Sequence, residues 1–314
     1  MKRFPSLNLE NIKTYSLKDR KSMVSINGFG HKWRAGGSLK EFISGLPRFL
    51  AVKDLTEVVE RLARAVQDGR TVILAMGGHP IKVGLGPIII DLMERGIISL
   101  LAVNGSVMVH DTEVALVGET SEDVDGSLEQ GTFGMARETA RVINTTAEEA
   151  VRDGIGLGRA LGHKLINDKC PFIKESIFAS AATLDVPVTV HVALGTDITH
   201  IHHQTDGAAL GQASLADFRL FCEAVATLEE GVFINLGSAV ILPEVFLKGV
   251  SLARNLGYSL KGITTVNMDF KHHYRPARNV VERPGFEGGR GFNLIGHHEI
   301  MFPLLAAALL DRLD

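Results

Sequence analysis

Six short apolar runs, rich in β-branched residues, punctuate the chain: TVILAM (71–76), SLLAVN (99–104), VTVHVAL (188–194), VFINL (232–236), ITTVN (263–267) and FNLI (292–295). They are continuously apolar and do not alternate, the pattern of strands covered on both faces. Helical patterns fill the intervals. DLTEVVERLARAVQDG (54–69) has apolar positions at helical spacing and stops on a glycine. GPIIIDLMERG (86–96) is a second, and TTAEEAVRDG opens with what reads as a capping box from Thr145 to Glu148. SLADFRLFCEAVATLEEG (214–231) and PEVFLKGVSLARNLG (243–257) continue the alternation, and EIMFPLLAAALLDRL closes it. Strand–helix alternation of this kind predicts an α/β protein with a parallel sheet between two layers of helices. Residues 1–37 lack periodicity and read as an N-terminal extension; with no repeat or Pro/Ser linker, 38–314 reads as a single domain. The polar, Gly- and Arg-rich segment 268–291 reads as a long loop, and such loops are disproportionately functional.

Ligands of open parallel sheets bind beyond the carboxyl ends of the strands. Here those ends read GGHP (77–80), NGSVMVHD (104–111), GTDITHIHH (195–203), GSAVILPE (237–244), NMDFKHHYRP (267–276) and GHHE (296–299); five of the six carry histidine. Of the twelve histidines, only His31 and His163 lie away from a strand. This concentration predicts a ligand site along one rim, with glycines that allow backbone to approach a ligand and helix N-termini for phosphate.

Composition narrows the partners. With 33 basic and 36 acidic side chains the net charge is −3, which argues against nucleic acid or an anionic membrane surface and leaves a small-molecule substrate. Cys170 and Cys222 are too few for a disulfide framework or a CxxC zinc pattern and read as free thiols of a reducing cytoplasm. The first residues lack the apolar core of a signal peptide, and IMFPLLAAALL is shorter than the roughly 20 residues that span a bilayer. A cytoplasmic protein is the expectation.

Several segments resemble deoxyhypusine synthases. TVILAMGGHPIKVGLGPIIIDLMERGIISLLAVNGSVMVHD is similar in rhythm and spacing to the first half of that family. ESIFASAATLDVPVTVHVALGTDITH, ADFRLFCEAVATLEEGVFINLG and LARNLGYSLKGITTVNMDF resemble the second half, and IGHHEIMFPLLAAALL its final strand and helix. SINGFGHKWRAGGSLKEFISGL is similar to the segment before the first helices, so the likeness runs from about residue 25 to the end. It implies a Rossmann-like α/β/α fold, NAD as cofactor, and a homo-oligomer, dimer or tetramer. It also implies transfer of an aminobutyl group from spermidine through an active-site lysine. Carried over by position, the NAD contacts are Gly77, Gly78 and His79; Asn104, Gly105 and Ser106; Asp197; Asn267 and Asp269; and Gly296 and His297.

Departures from the family are as informative. Counting back from Arg254–Asn255 places Glu244 where the family has its lysine, and a carboxylate cannot form the imine that carries the aminobutyl group. Lys248, one helical turn on, is a poor substitute. His202 stands where the family keeps an acidic residue for an amine, and the acidic positions after the second strand become His110–Asp111. The acidic loop after the fifth becomes DFKHHYRPARN, with His272, His273, Tyr274, Arg275 and Arg278. Exchange of carboxylate for histidine and arginine would repel a polyamine and favour an anionic or metal-chelating ligand. The expectation is therefore an NAD-binding relative that does not make deoxyhypusine and moves a hydride or proton. Its acid–base candidates are Asp197, His200, His202, Glu244, His272 and His273.

Two readings from other classes stand beside it. THIHHQTD suggests zinc or another divalent metal held by His200, His202, His203 and Asp111 in a hydrolase or lyase, although no HExxH or CxxC accompanies it. A non-catalytic ligand binder is the other. GIGLGRALG (154–162) mimics a dinucleotide fingerprint, but no strand precedes it and it continues a helical pattern. Trp33, the single tryptophan, reads as packing against the body of the protein or a neighbouring subunit.

Overall fold

A computed structural model describes residues 4–285 and 287–314. The six apolar runs become β1 (Val72–Met76), β2 (Leu100–Asn104), β3 (Val188–His191), β4 (Val232–Leu236), β5 (Thr264–Asp269) and β6 (Arg290–Ile295). All pair in parallel, in the order β3-β2-β1-β4-β5-β6. The main helices are α1 (Leu50–Gln67), α2 (Gly86–Glu94), α3 (Gly105–Val117), α4 (Arg137–Asp153) and α5 (Leu157–Asn167). They continue with α6 (Ile177–Thr183), α7 (Gly207–Ala226), α8 (Ile241–Asn255) and α9 (His298–Leu313).

Every residue of β1 and β4 is buried, as continuous apolar runs require. Val72, Leu74 and Met76 join a core with α1, α2 and α9, while Ile73 and Ala75 join a second core with Phe221 and Val225 of α7 and Phe246 of α8. Period-two alternation thus sends successive side chains into two different helical layers. The result is a three-layer α/β/α structure.

The edge strand β3 is covered by side chains of α7. Val190 N donates to Asp217 Oδ2 at 2.8 Å and Val192 N to Ser214 Oγ at 3.1 Å, so amides that would otherwise template another strand are satisfied within the chain. At the other side, Asn235, Asn267 and Asn293 lie in register on β4, β5 and β6. Their amides form a ladder, Asn235 Nδ2 to Asn267 Oδ1 at 2.8 Å and Asn267 Nδ2 to Asn293 Oδ1 at 2.7 Å.

Two expectations are corrected. Thr145 is not a helix cap: α4 begins at Arg137, and Thr145 stands in its third turn. Val142 and Ile143, before it, are buried in the same core as Ala147 and Ala150 after it, and that burial carries the helix back past the capping-box pattern. Nor is 268–291 an irregular loop. Its first residues extend β5, and Tyr274–Glu282 is helical, with a π-helical stretch from Ala277. Residues 4–27 are exposed throughout. Trp33 packs edge-on against Phe42 at 5.4 Å and stays half exposed.

Candidate functional site

The strand order reverses direction between β1 and β4, and the turns after these two strands meet. Gly77 N donates to Leu236 O at 3.1 Å, and a Cβ on Gly77 would lie 2.6 Å from Gly237 O. Gly237 has φ +68°, a conformation only glycine adopts at low cost. Such a reversal opens a crevice at the carboxyl edge, the usual ligand position in open α/β sheets.

On one side of this point, the ends of β1, β2 and β3 converge. Gly78 faces Ser106 and His110: a Cβ there would come within 2.3 Å of Ser106 Oγ and 3.1 Å of His110 Cδ2. Asn104 caps α3 by accepting from Val107 N at 3.2 Å, which turns Gly105 and Ser106 into its first turn. Asp197 lies against that turn so closely that a Cβ on Gly105 would overlap its Oδ2 at 1.8 Å. The Asp197 side chain is only 8% exposed, and Oδ2 has no hydrogen-bond donor among the described residues. Burial pushes its carboxyl above the ordinary range, and His200 and His110 partly offset this. His200 Nδ1 accepts from Gly195 N at 3.1 Å and Asp197 N at 3.2 Å, so the proton of the neutral ring is on Nε2, 3.9 Å from Asp197 Oδ2. A cavity of about 220 Å³ opens here, lined by Lys82, Ser106, His110, Glu113, Thr196 and Asp197.

On the other side, β5 and β6 present Asp269, Phe270, His297 and His298. His273 Nε2 lies 3.9 Å from the buried Asp269 carboxylate. His79 and His298 flank Phe270, with ring centroids 5.3 and 5.5 Å from it, and His297 runs parallel to Phe270 at 6.1 Å. Burial holds His298 below its ordinary pKa. Gly296 N donates to Asp269 O at 2.9 Å, joining the ends of the two strands.

Other candidates go elsewhere. Asp111 is turned away from the rim and fully buried; it accepts from Ser176 Oγ, Ile177 N (2.8 Å) and Phe178 N (3.3 Å), closing the start of α6. Burial raises its pKa to about 6. His202 Nε2 is bound to Gly134 O at 2.8 Å, and His203 and His272 are exposed. Asp111, His200, His202 and His203 therefore do not converge, and among the described residues no group of three His, Cys, Asp or Glu side chains is placed to hold a metal ion. Asn267 has both ends of its amide engaged in the ladder. The Glu244 carboxylate accepts from Lys248, from Arg275 Nε at 3.0 Å and from Asn279 Nδ2 at 2.9 Å; the Lys248 bond leads in holding its pKa below the usual range. Arg278 pairs with Glu282. The arginines expected to clamp an anion thus tie the 274–283 segment to α8 and to itself. Phe270 and His298 stand at strand ends that the sequence marks for a ligand, while the ladder asparagines Asn235 and Asn293 are inconspicuous inside apolar runs.

No protein-family model matches the chain, and no curated protein is similar to it in sequence. Solved structures do share its fold. A putative deoxyhypusine synthase from Entamoeba histolytica matches with a TM-score of 0.54 and 11% identity over 90% of this chain and 96% of its own. ArgZ, an arginine dihydrolase of the cyanobacterial ornithine-ammonia cycle, matches with a TM-score of 0.52 and 15% identity over 85% of this chain. AgrE, solved with ornithine and NAD+, matches with a TM-score of 0.53 and 18% identity over 83%. The chain spans about a third of the length of ArgZ and AgrE, 34% and 33% respectively. At these identities the relationship is one of fold: a Rossmann-like α/β/α sheet of the deoxyhypusine synthase type.

Proposed function

We propose that this protein is an NAD-binding enzyme that moves a hydride or a proton on a small molecule at the carboxyl edge of its sheet, and that it does not make deoxyhypusine. The observation that carries this reading is the meeting of the Gly77 and Gly237 turns at the reversal of strand order, beside a buried carboxylate without a donor. The residues fit a dinucleotide. The first turn of α3 has amides without intrahelical acceptors, Gly78 adds no side chain, and the Phe270, His79 and His297 rings offer flat apolar faces. We assign Gly77, Gly78, Gly105, Ser106, Asp197 and Gly296 to its binding. NAD, when bound, accepts a hydride.

The chain's own residues do the rest. Asp197, its pKa raised by burial, exchanges a proton at Oδ2 more readily near neutral pH than an exposed carboxyl does. His200 fixes the loop that carries it, through the two amides bound to Nδ1. Glu244, held by three donors and unable to form an imine, supports the departure from aminobutyl transfer. With Arg275 and Arg278 paired, the geometry does not favour an anionic substrate.

The test is thermal unfolding with NAD, NADP, zinc and manganese added in turn. A ligand at 100 times its Kd stabilises the folded state by roughly 2.7 kcal/mol, a readily measured shift. NAD or NADP is expected to raise the melting temperature. A shift with zinc or manganese and none with either nucleotide would favour the metal-dependent reading instead.

A further inference from the structure

His110 lines the 220 Å³ cavity and is held through its Nδ1. Ser106, His110 and Glu113 follow one another along α3 at helical spacings of four and three, which places them on one face. Thr120, just beyond the helix, sits between the last two. Its Oγ1 is 2.5 Å from Glu113 Oε2 and 2.8 Å from His110 Nδ1. The other carboxylate oxygen of Glu113 lies 3.4 Å from Thr139 Oγ1. Burial raises the Glu113 pKa, but the neighbouring His110 ring, its Nδ1 3.8 Å from Oε2, and the hydrogen bonds from Thr120 and Thr139 outweigh it and the group is held below the ordinary value, ionised at neutral pH.

A hydroxyl has one hydrogen to give. Facing an ionised carboxylate at 2.5 Å, Thr120 must direct that hydrogen to Glu113. Its oxygen then faces His110 with lone pairs only, so the 2.8 Å contact requires the hydrogen on Nδ1. The reverse assignment would press two oxygens together with no hydrogen between them. A neutral ring protonated at Nδ1 has its lone pair on Nε2, and that atom has no hydrogen-bond partner among the described residues. Cδ2, the neighbour of Nε2, lies 3.1 Å from where a Cβ of Gly78 would stand and Ser106 Oγ 2.3 Å, so only glycine lets this ring edge and hydroxyl close on the β1 turn; Ser106 and His110 both line the cavity. His200 cannot act this way, because two backbone amides occupy its Nδ1 and its Nε2 hydrogen faces Asp197.

We propose that His110 is a second acid–base residue of this cavity beside Asp197, working through Nε2, and that Thr120 and Glu113 are positioning residues that fix its tautomer. The proposal rests on reading this cavity as the ligand site. In the step assigned, an O–H or N–H of a bound small molecule breaks and its proton forms a bond with Nε2. The electron pair stays on the ligand's oxygen or nitrogen, and the imidazolium charge is met by the Thr120–Glu113 pair. Return of the proton reverses the step.

The test uses the full chain with ¹⁵N-labelled histidine and reads which ring nitrogen is protonated, His110→Gln supplying the assignment. His110 is expected protonated at Nδ1. Thr120→Val is expected to shift it to the Nε2-protonated form common in water, and Thr120→Ser to keep Nδ1. A wild-type His110 protonated at Nε2, or a Thr120→Val ring unchanged, overturns the proposal. Diethyl pyrocarbonate, whose carbonyl carbon is attacked by the lone pair of an imidazole nitrogen, is expected to modify His110 several-fold faster than His200; equal rates overturn it as well. Unfolding with and without NAD separates the two readings. Absence of NAD stabilisation with the expected tautomer removes the cofactor alone, and NAD stabilisation with the wrong tautomer removes the role of His110 alone.

Discussion

Asp217 shows what a single buried residue does to stability in this fold. It sits where α5, α7 and β3 meet, and its Oδ2 accepts from Gly158 N at 3.0 Å and Val190 N at 2.8 Å, while Oδ1 is buried without a partner. Burial raises its pKa to about 7, against about 3.9 in an unfolded chain. Between those values the folded state keeps a proton that the unfolded state has lost, so this group's contribution is complete below about pH 4 and is lost as pH rises toward 7. The loss is on the order of a few kcal/mol, since each pKa unit is worth about 1.4 kcal/mol. Asp217→Asn can keep both accepted hydrogen bonds and has no titration. Denaturant unfolding at pH 5 and pH 8 is expected to show a fall for the wild type that is markedly smaller in Asp217→Asn. Equal falls would show that Asp217 is ionised in the folded protein across this range. Nothing in the sequence marked Asp217 or Asp111 as buried, because each lies on a helix of mixed polarity and only its packed neighbours remove it from water.

At the scale of elements, two-sided burial makes a strand legible. Strands β1, β2 and β4 match their apolar runs to within a residue because a strand covered on both faces has no polar position to blur its ends, whereas β3 stops three residues short of its run and β6, partly exposed, starts two residues before its own. Helix starts were less legible. The Thr145–Glu148 spacing is a cap only if the chain turns there, and the apolar face of α4 begins earlier. Helix α7 likewise starts at Gly207, seven residues before the pattern suggests, because Asp206 Oδ1 accepts from Ala208 N at 2.8 Å and Ala209 N at 3.1 Å. The TDG that ends the histidine-rich stretch is thus a helix cap. These placements set opposite expectations for Thr145→Ala. A lost cap would cost about 1 kcal/mol, whereas a mid-helix threonine replaced by alanine gains up to roughly 0.7 kcal/mol. We expect unchanged or slightly raised stability, measured by the denaturant midpoint; a loss near the cap value would restore the capping box.

At the scale of the molecule, the histidines concentrate on one rim because every strand of a parallel sheet ends on the same side. The rim is not one constellation, however. The twist and order of the strands divide it between an Asp197–His110–Ser106 side and a Phe270–His298–Asp269 side. The homo-oligomer suggested by resemblance remains a proposal, with a physical motive in residues 4–27. This stretch is exposed and carries large apolar side chains, among them Phe4, Leu7, Met23 and Ile26 at 78–88% exposure. Deleting residues 1–24, none of which is buried among those described, is expected to leave the thermal unfolding of the body intact and to lower the mass measured by sedimentation. A full-length protein that sediments as a monomer at every concentration would remove the proposal.

What the sequence determined by itself was the layered architecture and the edge on which chemistry gathers. Both follow from local rules: two-sided burial writes continuous apolar runs, and parallel strands place their carboxyl ends together. Tertiary structure decided which polar residues remain free to act. Asp111 was turned into a helix start, His202 to a backbone carbonyl, and Arg275 and Lys248 to Glu244. His110, a minor feature of the sequence, gained a carboxylate and a hydroxyl that settle its proton. Hydrogen-bond partners far apart in the chain make these assignments, and such pairings leave no periodicity to read.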